Sequence, residues 1–216
     1  MILFVFWVML IAFFCQRIQQ DAHEALLKLF NVFDNGITAV YPSFKGINEN
    51  IFKGTVQIVN TCAGCGTNFV SFEPFYDINI QPVANIKSAI ENALHNKNGE
   101  FVCTYCKSLQ KCDSLSKIYQ HPKVLLVLVK RYTISPYSNT IRKNNTKICL
   151  EQEMSLYGKK YELNGVVLHI GTSTTSGHYI ANVKMDKFWY SCNDSSVEKV
   201  KSLSNPCSNA YLLFYT

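Results

Sequence analysis

The order of helix-forming and strand-forming segments along this amino-acid sequence predicts an α+β fold built around a mostly antiparallel sheet. A helix-forming segment comes first, between residues 19 and 36, where apolar residues recur at helical spacing. The later segments are mainly strand-like, and the last third of the chain places one strand-like run directly after another. Because no internal repeat or low-complexity linker breaks this order, we expect the strands to share one folded unit.

The first helix is predicted over the segment QQDAHEALLKLFNVFDNG, residues 19 to 36. Its alanine, leucine and phenylalanine residues fall on one face, and Asn35-Gly36 supplies a stop signal. Asp21 and Glu24 are three residues apart, so their carboxylates lie on one face of the helix. That face is either a binding surface for a basic group or an ordinary solvated surface.

The strands are predicted from alternation and from continuous apolar runs. The segment GTVQIVNTC alternates and leads into Cys62, whereas KVLLVLVKRY, residues 123 to 132, is continuous and typical of a buried central strand. A second, short helix is predicted over VANIKSAIENAL. The remaining strand-like runs are NFVSFEPFYDINIQP, YELNGVVLHI, GHYIANVKM, KFWYSCND and AYLLFYT.

Composition narrows the classes of protein to consider. The chain has 216 residues, 48% hydrophobic and 17% charged, which is enough apolar material for a packed core. The formal net charge is +6, but the basic residues are scattered without a stripe, so nucleic-acid binding is not expected. Nine cysteines, an odd number that includes two Cys-x-x-Cys pairs, favour metal binding in a reducing compartment over a full set of disulfides.

The chain begins with fifteen apolar residues, MILFVFWVMLIAFFC. A membrane span needs about 20, and a secretory signal needs a basic leader and a small-residue cleavage site. A membrane role is therefore not expected, and residues 1–17 are predicted to lie outside the folded domain. A buried segment and a wrongly assigned chain start are both compatible with this run.

Cys62-x-x-Cys65 and Cys103-x-x-Cys106 form two similar thiol pairs. Each pair places two sulfurs on one side of a tight turn, and two such turns brought together give the tetrahedral four-sulfur site that suits Zn²⁺. Four protein ligands leave no open position, so this zinc would be structural. Two unrelated thiol pairs, or a redox role for one of them, are the alternatives.

A β-hairpin is predicted for the segment that begins at His178 and ends at Asn193. If Met185-Asp186 form its loop, His178 lies directly across from Asn193, within hydrogen-bonding reach. An Asn carbonyl can hold an imidazole in one tautomer and leave the other nitrogen to activate a thiol, as in a Cys–His–Asn triad. A purely structural histidine at the start of a strand is the alternative.

Five motifs in order resemble the ubiquitin-specific protease family of cysteine deubiquitinases, over residues 18 to 215. They are QQDAHE, the pairs CAGC and CTYC, PKVLLVLVKRY, the stretch from YELNGVVLHIG through SGHYIANVK to FWYSCNDSSVEKV, and AYLLFY. The resemblance implies a papain-like fold with a partial thumb, a palm and zinc-bearing fingers. It places a partial catalytic domain at 18–216, with the fingers around 55–110 and the palm, which carries the histidine box, around 120–216.

The resemblance also implies roles for individual residues. His178 would be the general base, Asn193 would orient it, and Asp194 would contribute to activity. Structural zinc would bind Cys62, Cys65, Cys103 and Cys106.

A second set of roles concerns the substrate. The resemblance implies that Asp21 and Glu24 grip the basic C-terminal tail of ubiquitin, which agrees with two carboxylates on one helix face. His169 and Tyr179 would line the narrow channel for that tail. The implied partners are ubiquitin and ubiquitinated proteins, the implied state is a monomer, and the implied location is the nucleus or cytoplasm.

One departure from the family pattern concerns the nucleophile. The Gly-Asn-Thr-Cys box that the family carries upstream of QQDAHE is not found, and Cys15, in the context AFFCQRI, does not match it. We therefore expect this chain as given to be inactive as a thiol hydrolase. Three interpretations remain: a deubiquitinase whose first segment is missing from the gene model, an inactive paralogue that binds ubiquitin or scaffolds a complex, and a membrane-tethered fragment.

Overall fold

Two β-sheets and a short helical region make up the part of the chain that the computed structural model describes, residues 21–94, 99–134, 141–172 and 176–216. The helices are α1 (Ala22–Asn31), α2 (Thr38–Val40), α3 (Ile47–Phe52) and α4 (Ile86–Leu94), with a π-helical turn at Val32–Ile37 and a 3₁₀ turn at Pro42–Phe44. The strands are β1 (Gly54–Cys62), β2 (Asn68–Phe75), β3 (Ile78–Ile80), β4 (Gly99–Cys103), β5 (Ser108–Gln120), β6 (Leu125–Val129), β7 (Tyr132–Ile134), β8 (Ile141–Lys143), β9 (Glu153–Leu156), β10 (Lys159–Ile170), β11 (His178–Met185), β12 (Phe188–Asn193), β13 (Ser196–Val200) and β14 (Ala210–Tyr215).

The larger sheet has the strand order β13-β12-β11-β10-β14-β6-β3, with β9 paired to β10. The pair β3–β6 is parallel and the others are antiparallel. Strand β6 is buried along its whole length, as the sequence predicts. Its Leu126 and Leu128 join the core that contains α1, whereas its alternate residues Leu125 and Val127 join the core that contains α4. The continuous apolar run therefore reflects burial on both faces.

The smaller sheet has the order β2-β1-β5-β4 and spans residues 54 to 120. Strand β1 is central, and its Val59 pairs with Val70 on one side and Leu115 on the other. Although β3 and α4 fall between β2 and β4 in sequence, β3 belongs to the larger sheet. A third pair, β7–β8, forms a separate two-stranded hairpin.

The first helix differs from the prediction at both ends. It is α-helical only over Ala22–Asn31, and helical structure then continues past Gly36 as a wider π-helical turn. The amide of Asn48 donates to the carbonyl oxygen of Phe30 at 2.9 Å, so this carbonyl has a partner from outside the helix where the α-helix ends. Phe33, in the wider turn, stays buried in the same core as Phe30. Tertiary packing therefore overrides the Asn-Gly stop signal.

The register of the β11–β12 hairpin also differs from the prediction. Met185 pairs with Phe188, so the loop is Asp186-Lys187, with Asp186 at a positive φ of 55°. The predicted loop would have opposed His178 to Asn193, but the true register is shifted by two residues. Asp tolerates the left-handed conformation that tight hairpin loops require, which explains the choice of loop. Because the shift is even, both side chains stay on the same face of the sheet.

Within the described ranges, no helix combines the length and the apolar character that a membrane crossing requires. The apolar segment 1–17 and Cys15, which carried several sequence predictions, lie outside the described residues.

Candidate active site

His178 and Asn193 meet at one end of the larger sheet. His178 is the first residue of β11, Asn193 is the last of β12, and the imidazole Nε2 lies 2.5 Å from the Asn193 Oδ1. They are diagonal neighbours across the two strands, a separation that long side chains can span. The predicted pair therefore forms, although through a different register from the one predicted. With Nε2 held by the amide, Nδ1 is the ring nitrogen left for a reacting group.

Asp194 adds a carboxylate beside the same ring. It lies in the turn between β12 and β13 at a positive φ of 51°, and its Oδ2 is 4.0 Å from His178 Nε2. Both side chains are about half exposed, so the electrostatic contribution of this pair is modest. The geometry suits a carboxylate that stabilises an imidazolium without accepting its proton.

The backbone that leads into His178 packs directly on a second histidine. A Cβ added at Gly177 would lie 2.4 Å from His169 Nε2, and one added at Gly171 would lie 2.7 Å from the Gly177 Cα. The two ends of the β10–β11 connection therefore touch each other and the His169 ring. Only glycine fits at residue 177, because any side chain would collide with that ring.

His169 is buried and held in a cluster of rings. It pairs with Tyr179 across β10 and β11, with ring centroids 4.7 Å apart, and its Nδ1 is hydrogen-bonded to the Tyr132 hydroxyl at 2.6 Å. Burial, followed by the nearby charge of Lys143, lowers the pKa of His169 to about 4. His169 is thus neutral at pH 7 and does not carry charge in this site.

Asp21 caps α1 and is tied to the same ring cluster. One carboxylate oxygen accepts from the backbone amides of His23 and Glu24 at 2.8 and 3.1 Å, and the other accepts from the Tyr211 hydroxyl. The Tyr211 ring lies 6.0 Å from that of Tyr179, so Asp21, Tyr179 and His169 converge. Glu24, by contrast, is exposed. The two predicted tail-binding carboxylates therefore differ: one is built into the fold and the other faces solvent.

Four cysteine sulfurs converge at the far end of the smaller sheet. They belong to Cys62, Cys65, Cys103 and Cys106, and all four lie within 4.8 Å of one another. The sulfurs of Cys62 and Cys106 are 3.9 Å apart, and those of Cys65 and Cys103 are 3.7 Å apart. A tetrahedral ion with metal–sulfur bonds of about 2.3 Å requires sulfurs about 3.8 Å apart, so the residues fit a metal ion.

The two turns that present these sulfurs have the same backbone pattern. The amide of Gly66 donates to the Cys62 carbonyl at 2.8 Å, and the amide of Lys107 donates to the Cys103 carbonyl at 2.7 Å. Both donors have positive φ, 69° and 53°. Each turn therefore points two sulfurs toward the other turn, as the Cys-x-x-Cys spacing predicts.

The ionisation of these thiols also suits a cation. The Thr67 hydroxyl, 3.2 Å from the sulfur of Cys65, lowers the pKa of that thiol to about 6. The pKa of the Cys106 thiol is raised to about 12, and the main cause is the hydrogen bond between Cys106 and Cys65. Without a cation only part of the cluster ionises, whereas a bound metal ion would deprotonate all four thiols.

No described cysteine is hydrogen-bonded to His178. Cys192 precedes Asn193 on β12, but it is buried in the core with α1, and burial raises the pKa of its thiol. Strand alternation places its side chain on the face opposite to Asn193. Cys192 is therefore unsuited to act as the nucleophile.

Three residues of this site were not singled out from the sequence: Tyr132, Tyr211 and Lys143. The two tyrosines lie within motifs that resemble the family, Tyr132 at the end of VLVKRY and Tyr211 within AYLLFY. Their place in these motifs is the sequence signal that could have indicated a role in the site. Lys143 lies in no motif. Its role depends on contacts with β10 and with residue 209, which the sequence does not reveal.

The fold and the His178–Asn193 pair define a class of protein, the papain-like cysteine hydrolases. Comparison with known families makes the assignment specific. The family model described as ubiquitin carboxyl-terminal hydrolase matches residues 6–215, and the chain belongs to this family. The matched range begins inside the apolar segment and includes Cys15.

The curated relatives agree. Ubiquitin carboxyl-terminal hydrolase 9 of Saccharomyces cerevisiae is 29% identical over 238 residues, covering 94% of this chain and 31% of that protein. Ubiquitin carboxyl-terminal hydrolase 17-like protein B of Mus musculus is 28% identical over 221 residues, covering 94% of this chain and 47% of that protein. The chain thus spans about a third to a half of the length of these relatives.

Solved structures confirm the fold. The SAGA Ubp8/Sgf11/Sus1/Sgf73 DUB module bound to ubiquitin aldehyde matches with a TM-score of 0.79 and 26% identity, over 92% of this chain and 49% of that chain. The module bound to monoubiquitin matches with a TM-score of 0.81 and 27% identity, over 92% and 48%. The predicted α+β papain-like fold and the predicted membership of the ubiquitin-specific proteases are therefore confirmed.

Proposed function

We propose that this chain forms part of the catalytic domain of a thiol-dependent deubiquitinase, which hydrolyses peptide and isopeptide bonds at the C-terminal glycine of ubiquitin. The observation that carries the proposal is the 2.5 Å contact between His178 Nε2 and Asn193 Oδ1, in a chain of this family. The structures bound to ubiquitin and to ubiquitin aldehyde support the substrate class.

His178 acts as the base and Asn193 as its orienter. The Asn193 Oδ1 accepts a hydrogen bond from the Nε2–H group, which leaves Nδ1 to take the proton of a cysteine thiol. The thiolate attacks the glycine carbonyl carbon, and the imidazolium returns its proton to the departing lysine amine. Water then hydrolyses the thioester with His178 again as base. Asp194, 4.0 Å away, stabilises the imidazolium, and the thiol comes from outside the described residues.

The approach to His178 suits an extended, glycine-ended tail with basic residues. Glu24 is exposed on the first turn of α1, where it can pair with an arginine. Asp21 supports that site from within the fold through its bonds to the helix N-terminus and Tyr211. His169 and Tyr179 form a rigid wall of rings, which favours residues without side chains close to the scissile bond.

The four-sulfur cluster holds structural zinc in this proposal. Cys62 and Cys65 would supply one pair of ligands, and Cys103 and Cys106 the other, so the ion would cross-link the β1–β2 and β4–β5 turns. All four positions are filled by protein, so the metal supplies folding energy and no open site for chemistry. Reduced thiols of this kind also fit the proposed nuclear or cytoplasmic location.

An inactive ubiquitin-binding module is the second candidate. The observation that favours it is that none of the described cysteines is bonded to His178. Such a module would keep the tail-binding residues without transferring an acyl group. The family relationship supports it equally, because binding and catalysis use the same cleft.

A ubiquitin-derived electrophilic probe tests both candidates on the 216-residue chain. A covalent adduct that disappears after His178→Ala and persists after Cys112→Ser, a control cysteine in the smaller sheet, would establish the enzyme and overturn the expectation that this chain as given is inactive. The Cys15→Ser variant shows whether that residue is the nucleophile. Binding of ubiquitin without any adduct would overturn the enzyme assignment and establish the binding module.

A further inference from the structure

Lys143 makes contacts that suggest a role in the site. It is the last residue of β8, and its ammonium group donates to the carbonyl oxygens of His169 at 2.6 Å and Gly171 at 2.8 Å. Its third contact is the side-chain oxygen of Asn209, at 3.2 Å. An ammonium has three N–H groups, so all three are used. Two of the acceptors bracket the end of β10, where the connection to His178 begins.

This use of a lysine is unusual because the charge is directed at neutral oxygens. Within the described ranges, Lys143 forms no ion pair with a carboxylate. Burial, followed by the charge of Arg131, lowers the pKa of Lys143. Holding an ammonium here costs solvation energy, which a surface lysine would avoid. The three fixed acceptors offset that cost only if the backbone they belong to stays in place.

The acceptors of Lys143 connect to the catalytic pair through a short path. Gly171 packs against Gly177, the residue before His178, so the start of the β10–β11 connection sets the position of its end. His169, whose carbonyl accepts from Lys143, carries the ring on which Gly177 rests. A change at the ammonium therefore reaches His178 through backbone contacts, without a direct contact between the two side chains.

Neighbouring contacts make this arrangement rigid. Arg131 is fully buried and donates to the carbonyls of Ala210, Asn144 and Thr146, which fixes the segments that follow Lys143 and Asn209. The Tyr132 hydroxyl fixes the His169 ring from β7, the partner strand of β8. The β7–β8 hairpin thus holds the His169 backbone and ring from one side.

We infer that Lys143 is a positioning residue: by bonding the His169 and Gly171 carbonyls, it fixes the backbone against which Gly177 packs, and so places the His178 imidazole against Asn193. The catalytic consequence rests on the proposed deubiquitinase function, whereas the structural consequence concerns the His178 ring alone. A lysine with only a structural role would change stability without changing the state of that ring.

The test measures the His178 ring directly, by ¹⁵N imidazole spectroscopy of the 216-residue chain at neutral pH, with amide exchange over residues 176–180. The unchanged chain is expected to show a single tautomer, with the proton on Nε2. Lys143→Met is expected to produce a mixture of both tautomers and at least tenfold faster exchange. The matched control is Lys147→Met, at an exposed lysine four residues later, and it is expected to leave the His178 tautomer and the amide exchange unchanged.

A second variant covers the case in which Lys143→Met does not fold. Asn209→Ala removes one of the three acceptors and is expected to give a smaller change in the same direction. A single tautomer and unchanged exchange in folded Lys143→Met, or in Asn209→Ala when the first variant does not fold, would overturn the inference. A mixture of tautomers already present in the unchanged chain would do the same.

Kinetics separate this inference from the proposed function. When hydrolysis of a ubiquitin amide is measured, Lys143→Met is expected to lower kcat by about 10- to 100-fold, the usual cost of a displaced catalytic group, with KM within about twofold. A folded Lys143→Met variant with unchanged kcat would overturn the inference. No hydrolysis by the unchanged chain would overturn the deubiquitinase proposal, and the tautomer measurement would still decide the role of Lys143.

Discussion

The two sheets of this protein are stabilised by different means. In the larger sheet, every residue of β6 and β14 is buried, because helices and loops cover both faces. In the smaller sheet, no residue of β2 is buried and most of β5 is exposed. Leu212 in the larger sheet is 0% exposed, whereas Leu115 in the smaller sheet is 55% exposed. One sheet depends on apolar burial, and the other has little to bury.

The difference explains where the two kinds of site lie. The His178–Asn193 pair is at the end of the well-packed sheet, where strand positions are fixed to the tolerance that proton transfer needs. The four thiols are at the end of the thinly packed sheet, where a metal cross-link can replace a missing core.

Removal of the proposed zinc is expected to have the largest effect, and to act on the smaller sheet. A structural zinc contributes on the order of 10 kcal/mol, so a chelator or Cys103→Ser should unfold β1, β2, β4 and β5 while β6 and β14 stay protected. Amide hydrogen exchange with mass spectrometry resolves the two regions. Cys112→Ser, in the same sheet but outside the cluster, serves as the control. Equal loss of protection in both sheets, or a purified chain without metal, would contradict this prediction.

Truncation of Leu212 is expected to have the next largest effect. Leu212→Ala leaves a cavity in the core of the larger sheet, and should lower the free energy of unfolding by about 2–5 kcal/mol. Leu115→Ala, the same change on the exposed face of the smaller sheet, should change it by less than about 0.5 kcal/mol. Urea unfolding of both variants gives the comparison, and similar losses would show that the smaller sheet has a hidden apolar core.

The buried His169 is expected to make the larger sheet sensitive to acid. Its pKa is about 4 in the folded state and about 6.5 in an unfolded chain, so between these values the unfolded state binds more protons. Stability from this residue is complete above pH 6.5, and about 3 kcal/mol is lost as pH falls to 4. Urea unfolding from pH 7 to 4.5 measures the loss. His169→Gln, which cannot titrate, should have a flatter profile, and an unchanged profile would show that the pKa of His169 is the same in the folded and unfolded states.

Loss of the Tyr211–Asp21 hydrogen bond is expected to have the smallest effect of the four. Tyr211→Phe keeps the ring in the core but leaves one Asp21 oxygen without its hydroxyl partner, which should cost about 1–2 kcal/mol. Thermal unfolding measures this loss of stability, and Tyr119→Phe, a change at an exposed tyrosine of the smaller sheet, is the control. A loss no larger than that of the control would mean that α1 is held to the larger sheet by apolar contacts alone.

Some features of the fold and the site could be predicted because their signals are local. Strand β6 was recognised from its continuous apolar run, and the thiol pairs from the Cys-x-x-Cys turn. Strand β5 was missed because its sequence, SLQKCDSLSKIYQ, is largely polar, as a strand with an exposed face can be. Its assignment depends on pairing with β1 and β4, residues far away in sequence.

The sequence by itself determined that His178 and Asn193 share one face of the sheet, because an alternating strand keeps its parity under any even shift of register. It also determined the identity of the four thiols. Only the tertiary structure decided that Asp186-Lys187 form the hairpin loop, that Asp21 is built into the fold while Glu24 faces solvent, and that Lys143 holds the backbone before His178. These features depend on contacts between distant segments, whose energies become defined only when the chain is packed.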